Sequence, residues 1–411
     1  MLVLLRVFLP LSFFFFSTCN TTGQKEQCLC KFDLEFLHGK IKKTPSYKAN
    51  KDSYKKAYKA ILGEAKYIDN AYDCFLQLNK LLLSLNDNHS KVYGINKGAT
   101  KELRDAVGGL EKFKQSKLYK LYPKITIDLD SLTDILALKS PADKEGIYTN
   151  KDKLKIGVRK NQEVYEAIVI SSKNEIWSPG ELIYTMIPYG NDYLLSVGGN
   201  STSKRLIAYT ERIEDGTFLT MGYQKDISKS NYTKSIHPDT TYLRKEISSD
   251  ISYIKVGSFN SWYPTLSDAE DFYASLKNSL TKSNLIIDLR DNGGGGNRNS
   301  DILYKIMKDY LKKNNVYLIT NHRTASNAEQ FAYKLKENPN CITFGQRTNG
   351  SVTYEIVDKN YNLPCEKYLT VLTSKKHSKY SILESKGLDP DWILNMDNNW
   401  MVQVVDFINN Q

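Results

Sequence analysis

The chain predicts an α/β fold in its last third, preceded by a helical region and a β-rich segment. Three observations carry that expectation: apolar strands alternate with amphipathic helices after about Ile251, four consecutive glycines close one of those strands, and Ser326 follows another at a strand-to-helix junction.

The opening segment, MLVLLRVFLPLSFFFFSTC, has one arginine, an apolar stretch and small polar residues before Cys19. This layout predicts a secretory segment over 1–18, with an apolar part short for a stable membrane span. FSTC resembles a lipoprotein box in which Cys19 becomes the lipidated first residue, although Thr18 stands where Gly or Ala is usual. The expected location is therefore exported: periplasmic, outer-membrane-associated or, as an alternative, at the cell surface, with the lipidated N-terminus as membrane partner. The net charge is +11, but its lysines are scattered and form no basic run interleaved with stacking aromatics, so nucleic acid is not expected as a partner. Beyond Cys19, the five cysteines (Cys28, Cys30, Cys74, Cys341 and Cys365) could pair in an exported chain. They form no ligand-spaced set with the five histidines, and no metal or other cofactor is expected.

From about Phe32 to Ile135 apolar residues recur at helical steps. The longest helical run, SYKKAYKAILGEAKYIDNAYDCFLQLNKLLLSL, stops at NDNHSKVYG, and a shorter helical stretch resumes near Lys101. From Gly146, short β-branched and aromatic runs separated by turn residues predict an antiparallel sheet or small barrel that shapes a neighbouring cleft. After Ile251, ISYIKVGSF, NLIIDLR, NVYLITN and NCITFG read as buried strands with helices between them. Sites in such sheets favour the loops at the strand carboxyl ends.

One such loop is LIIDLRDNGGGG. Its glycines can adopt unusual dihedrals and expose N–H groups, but they lack the Lys-Ser/Thr ending of a phosphate loop and the spacing of a dinucleotide fingerprint. Backbone donors of this kind can instead hold an oxyanion. Ser326, in TNHRTASNAEQFA, can present its hydroxyl at the same end of the sheet. It can equally be a helix cap, with Glu329 three residues on completing a capping box.

LIIDLRDNGGGG, TASNAEQFA and the upstream LLLSLNDNHSKV together resemble the tail-specific, or carboxy-terminal processing, serine peptidases and their tricorn-like relatives. The resemblance spans Ile251 to Leu394 and a short stretch from Asp87 to Ser90, and is weak through the middle of the chain. It implies a crotonase-like (ClpP-like) α/β catalytic core, Ser326 as nucleophile, and an oxyanion hole from the amides of Asn327 and of Gly293 or Gly294. Many processing peptidases use a lysine about 25 residues after the serine. Here position 351 is Ser, and no lysine occurs between Lys336 and Lys359. The tricorn-like branch uses a histidine and a carboxylate instead, which map to His89 and Glu384. Asp87 is expected to hold the loop around His89, Glu329 to support the serine, and His322 to compete with His89 as base.

The expected division is 1–18 signal segment, 19–140 helical domain, 141–247 β-rich inserted domain and 248–411 catalytic domain, with His89 contributed by the helical region. No PDZ signature is evident between the helical and catalytic units, and tricorn's propellers cannot fit this length, so tail specificity and tricorn's assembly are not carried over. The expected function is peptide-bond hydrolysis in exported or cell-envelope proteins through an acyl-enzyme, with a peptide or unfolded protein as substrate. Its alternatives are a catalytically inactive binding or scaffold protein on the same fold, and a hydrolase of another ester or amide.

Overall fold

A computed structural model describes residues 29–411, except 152, 174 and 357–359. The expected signal segment, Cys19 and Cys28 lie outside the described residues. Among those described, no helix is long and apolar enough to cross a membrane.

The carboxy-terminal unit is built on a six-stranded sheet in the order Tyr242–Glu246, Ile251–Val256, Asn284–Asp288, Asn315–Thr320, Cys341–Gly345 and Trp392–Ile393. All neighbours run parallel except the first pair, which is antiparallel. The β-branched and aliphatic residues that favour these strands also bury both faces of the sheet, each face taking alternate residues. Leu285 and Ile287 pack with Leu303 and Met307 of helix Asn297–Tyr310 and with Phe331 and Leu335 of helix Asn327–Lys336. Ile286 faces the other way, into a second cluster with Trp400 and Val404 of helix Trp400–Asn409. The four predicted strands and the helices between them are present. The edge strand Tyr242–Glu246 begins before the expected boundary at 248, and the last strand and helix were not anticipated.

The β-rich segment is an antiparallel meander of six strands, Gly146–Thr149, Lys155–Asn161, Val164–Ser171, Leu182–Tyr189, Tyr193–Gly199 and Leu206–Glu211, paired in chain order. It is an open sheet, not a barrel. The long helical run is two helices, Lys51–Ala65 and Ala71–Leu83, divided where Asn70 caps the second by accepting a hydrogen bond from Asp73 N at 2.8 Å. Leu34, Leu37, Phe75 and Leu78 from the helices share one core with Ile156, Val169, Tyr184 and Val197 from the meander. The helical region and the meander therefore pack as a continuous body.

Two pairings bring that body to the α/β unit. Strand Lys91–Gly94 runs antiparallel to Tyr368–Val371, with Val92 opposite Thr370. On the meander, Tyr193 donates its hydroxyl to Thr348 O at 2.9 Å. The first pairing fixes the loop just before Lys91, where His89 lies.

Candidate active site

Strand Asn284–Asp288 ends in a turn held from beneath. Arg290 is buried in an ion pair with Asp288 at 2.6 Å and donates to the main-chain oxygens of Tyr232 and Lys234. Asn292, fully buried, donates to Val256 O at 2.9 Å and accepts from Gly294 N at 2.9 Å. Gly294 and Gly295 both have positive φ, 96° and 147°. A Cβ on Gly294 would stand 2.7 Å from Ala325 O and from Ser326 Cβ, and one on Gly295 would meet Phe259 O at 1.9 Å. These two glycines are required because the main chain passes directly against the serine turn and a neighbouring segment. Gly293 has open space where a Cβ would be.

The second turn carries Ser326 at the start of helix Asn327–Lys336, with φ 58° and ψ −123°, a conformation non-glycine residues rarely adopt. Ser326 N donates to Ser351 O at 2.8 Å and to Glu329 Oε2 at 3.0 Å. Glu329, fully buried, also accepts from Thr348 Oγ1, Gly350 N and Ser351 N, and burial pushes its carboxyl up to about 7 against the pull of these donors. Glu329 thus bonds both the serine turn and the loop around Ser351.

Ser326 Oγ lies 3.0 Å from His89 Nε2. The ring is held by its own loop. Asp87 accepts four hydrogen bonds, from His89 N, Ser90 N, Ser90 Oγ and, at 2.6 Å, Thr373 Oγ1. Burial lowers the His89 pKa to about 4, opposed by the Asp87 charge and reinforced by Lys91, so the ring is neutral at pH 7 and can accept a proton. His322, the competing histidine, is buried beside the Tyr193 ring and makes no bond to Ser326.

Two expectations need correction. Glu384 does not hydrogen-bond the His89 ring; its oxygens accept from Asn88 N at 3.0 Å, Val352 N at 3.0 Å and Thr353 N at 2.7 Å. Three main-chain donors converge on the carboxylate, and His89 Nδ1 is buried without a partner among the described residues. Burial raises the Glu384 carboxyl to about 7. Glu384 therefore clamps the backbone next to His89 to the loop after Ser351. The second correction concerns the oxyanion donors. The Gly294 amide is committed to Asn292, and Gly293 lines neither cavity at Ser326. The bonds between this turn and Phe259 use Gly294 O and Gly296 N, which leaves the intervening Gly295 N–H turned to the opposite side, and Gly295 lines both cavities with Ser326.

Asp87, His89 and Glu384 each offer one atom within 4.8 Å of the others, a spacing a cation could use. Asp87 already accepts four hydrogen bonds and Glu384 three, and His89 Nε2 faces Ser326, so of this set His89 Nδ1 alone has no protein partner among the described residues.

Ser326 opens on a cleft of about 500 Å³ bordered by His89, Trp262, Arg298 and Ile356. A smaller polar cavity of about 100 Å³ lies beside it. Between them stands Glu355, bonded to His377 Nε2 at 2.7 Å and to Lys375 Nζ at 3.0 Å. Sequence reading missed these wall residues, which lie on short strands and loops with no periodic signal.

A serine bonded to a neutral histidine, beside free backbone N–H groups in a cleft, is the site of a serine-type hydrolase. Residues 250–307 and 296–394 match the profile of peptidase family S41, and the chain is a serine-type peptidase. Among solved structures it is similar to a lipoprotein from Streptococcus agalactiae, with 20% identity over 42% of this chain and 70% of that one and a TM-score of 0.30. It is also similar to the photosystem II D1 C-terminal processing protease, with 12% identity over 90% of this chain and 93% of the other and a TM-score of 0.37. For the tricorn protease the figures are 14%, 93% and 37%, and 0.43. No protein of curated function matches its sequence.

Proposed function

We propose that the chain hydrolyses peptide bonds in exported or cell-envelope proteins through an acyl-enzyme on Ser326, using the Ser-His form of the family on a crotonase-like core with the meander as an inserted domain. The observation that carries this is the 3.0 Å approach of His89 Nε2 to Ser326 Oγ. His89 takes the hydroxyl proton as Oγ adds to the scissile carbonyl carbon. The N–H groups of Asn327 and Gly295 receive the resulting oxyanion. Collapse breaks the C–N bond, and His89 gives its proton to the departing amine. Water then adds to the acyl-enzyme, losing its proton to His89, and the serine is regenerated. Asp87 is the carboxylate whose charge most favours the imidazolium formed in each step, and Glu384 positions the loop from behind.

Export and a lipid anchor on Cys19 belong to the same proposal. Support comes from the disulfide between Cys30 and Cys74 and from a disulfide bond at Cys365, which suit an oxidising compartment.

The test is a serine-reactive fluorophosphonate probe on the purified protein, with peptide turnover measured in parallel. Ser326→Ala is expected to abolish both while leaving far-UV circular dichroism and thermal unfolding unchanged. Equal labelling of the variant would remove Ser326 from the chemistry.

A further inference from the structure

Besides His89, the walls of the two cavities at Ser326 carry four side chains that hold or can take up charge near neutral pH: Glu355, Lys375, His377 and Arg298. Three of them are occupied with one another, because Glu355 Oε2 holds His377 Nε2 at 2.7 Å and Lys375 Nζ at 3.0 Å. Arg298 is the fourth, and it forms no ion pair among the described residues. The acid one turn further along its helix, Asp301, is paired with Lys334 instead, at 3.4 Å.

Arg298 is exposed and borders the cleft of about 500 Å³ together with Ser326 and His89. Tyr263 steadies it: one Nη2 N–H is directed at the phenol oxygen at 3.2 Å, and the guanidinium carbon lies 5.5 Å from the ring centre. A guanidinium has five N–H donors, so this contact leaves most of the fork for another partner. Stacking on a ring also fixes the plane of the fork, and less freedom is then lost when that partner binds. Within the cleft wall the Glu355 charge offsets that of Lys375, and His89 is neutral at pH 7. Trp262 and Ile356, also exposed at the border, are apolar and bring no acceptor. The balance left beside the nucleophile is one positive charge whose geometry matches the two oxygens of a carboxylate.

We propose that Arg298 is a specificity residue of the cleft, selecting peptides that carry an Asp or Glu side chain close to the scissile bond. This rests on the peptidase reading above and narrows it to a class of substrate. The bond formed is charge-assisted but open to solvent, so its effect on selection is that of a good exposed ion pair and weakens with salt.

The test uses fluorogenic peptides blocked at both ends that differ only by Glu against Gln, moved through successive positions on either side of the cleaved bond. For the wild type, kcat/KM is expected to favour Glu by about fivefold at one position, and less as NaCl is raised. Arg298→Gln should bring that ratio to about unity, Arg298→Lys should keep part of it, and Arg298→Glu should invert it so that a Lys peptide is preferred to the Glu peptide. A residue that only packed on Tyr263 would, when replaced, lower turnover of every peptide in proportion and leave the ratios standing. Should the peptides turn over too slowly to compare, the same pairs are scored as competitors of fluorophosphonate labelling at Ser326. Equal treatment of Glu and Gln at every position by the wild type, or a ratio unchanged in Arg298→Glu, overturns the assignment. A preference that appears only when the peptide ends in a free acid overturns it too, since Arg298 would then read the terminal carboxylate. A wild type that neither cleaves peptides nor takes the probe at Ser326 overturns the peptidase reading itself, and the selectivity with it.

Discussion

His89 is the residue on which the chemistry turns, and its environment sets its protonation. Burial lowers its pKa to about 4, although the Asp87 carboxylate pulls upward. The folded ring therefore binds fewer protons than an unfolded histidine between about pH 6.5 and 4, and its contribution to stability is full above 6.5 and lost as the pH falls toward 4. The same shift keeps the base free under mildly acidic conditions. We expect a 13C-histidine NMR titration, with the His89 signal assigned by its absence in His89→Ala, to show a mainly neutral ring at pH 5. A midpoint at or above 6.5 would contradict the burial argument. Glu384 behaves differently from its expected part in a triad, since three main-chain N–H groups engage it and a hydrogen bond to the imidazole does not form.

At the level of elements, the site depends on two turns at the carboxyl ends of adjacent parallel strands, Asn284–Asp288 and Asn315–Thr320. Each turn contains backbone that most residues would not tolerate, positive φ at Gly294 and Gly295 in one and at Ser326 in the other. They are locked together, since Ala325 N donates to Asn292 O at 3.0 Å. Gly295→Ala should be severe because the new methyl would collide with Phe259 O, a main-chain atom that cannot move aside cheaply, and φ is 147°. We expect a loss of about 3 kcal/mol or more in urea unfolding, with peptide turnover lost as the oxyanion donor is displaced. Gly293→Ala, where a Cβ meets nothing within 4 Å, is the control and should unfold close to wild type. Equal stability of the two variants would show that the close approach at Gly295 is not a constraint.

Across the whole molecule, distant parts of the chain have to meet before any site exists. The His89 loop follows helix Ala71–Leu83, which is tied to helix Cys30–Ile41 by the disulfide between Cys30 and Cys74. It is then carried to the α/β unit by the pairing of Lys91–Gly94 with Tyr368–Val371. The disulfide closes a separation of 44 residues, for which loop entropy gives a contribution of about 4 kcal/mol. Replacing both cysteines by alanine should lower stability by about 2–4 kcal/mol in urea unfolding, while the fraction still folded keeps Ser326 labelling, because neither sulfur touches the site. Unchanged stability would mean that the helical region is held by its shared core alone.

The sequence by itself determined the α/β alternation and the turn residues, while Ser326 and His89 were singled out by its resemblance to the tail-specific peptidases. The first two are local signals: strand and helix periodicity act over a few residues, and glycine or serine at a turn is demanded by the dihedral angles of that turn. Only the tertiary structure decided which carboxylate serves which group, which glycine N–H is free, and what lines the cavities. Glu384 lies 296 residues from Asn88, the residue whose amide it accepts, and the competition between imidazole and three main-chain donors for one carboxylate exists only once the loops meet. Gly293, Gly294 and Gly295 are chemically identical in sequence. They are told apart by Asn292 accepting from one of them and by Phe259 running beside the turn, contacts that arise from folding and carry no signature along the chain.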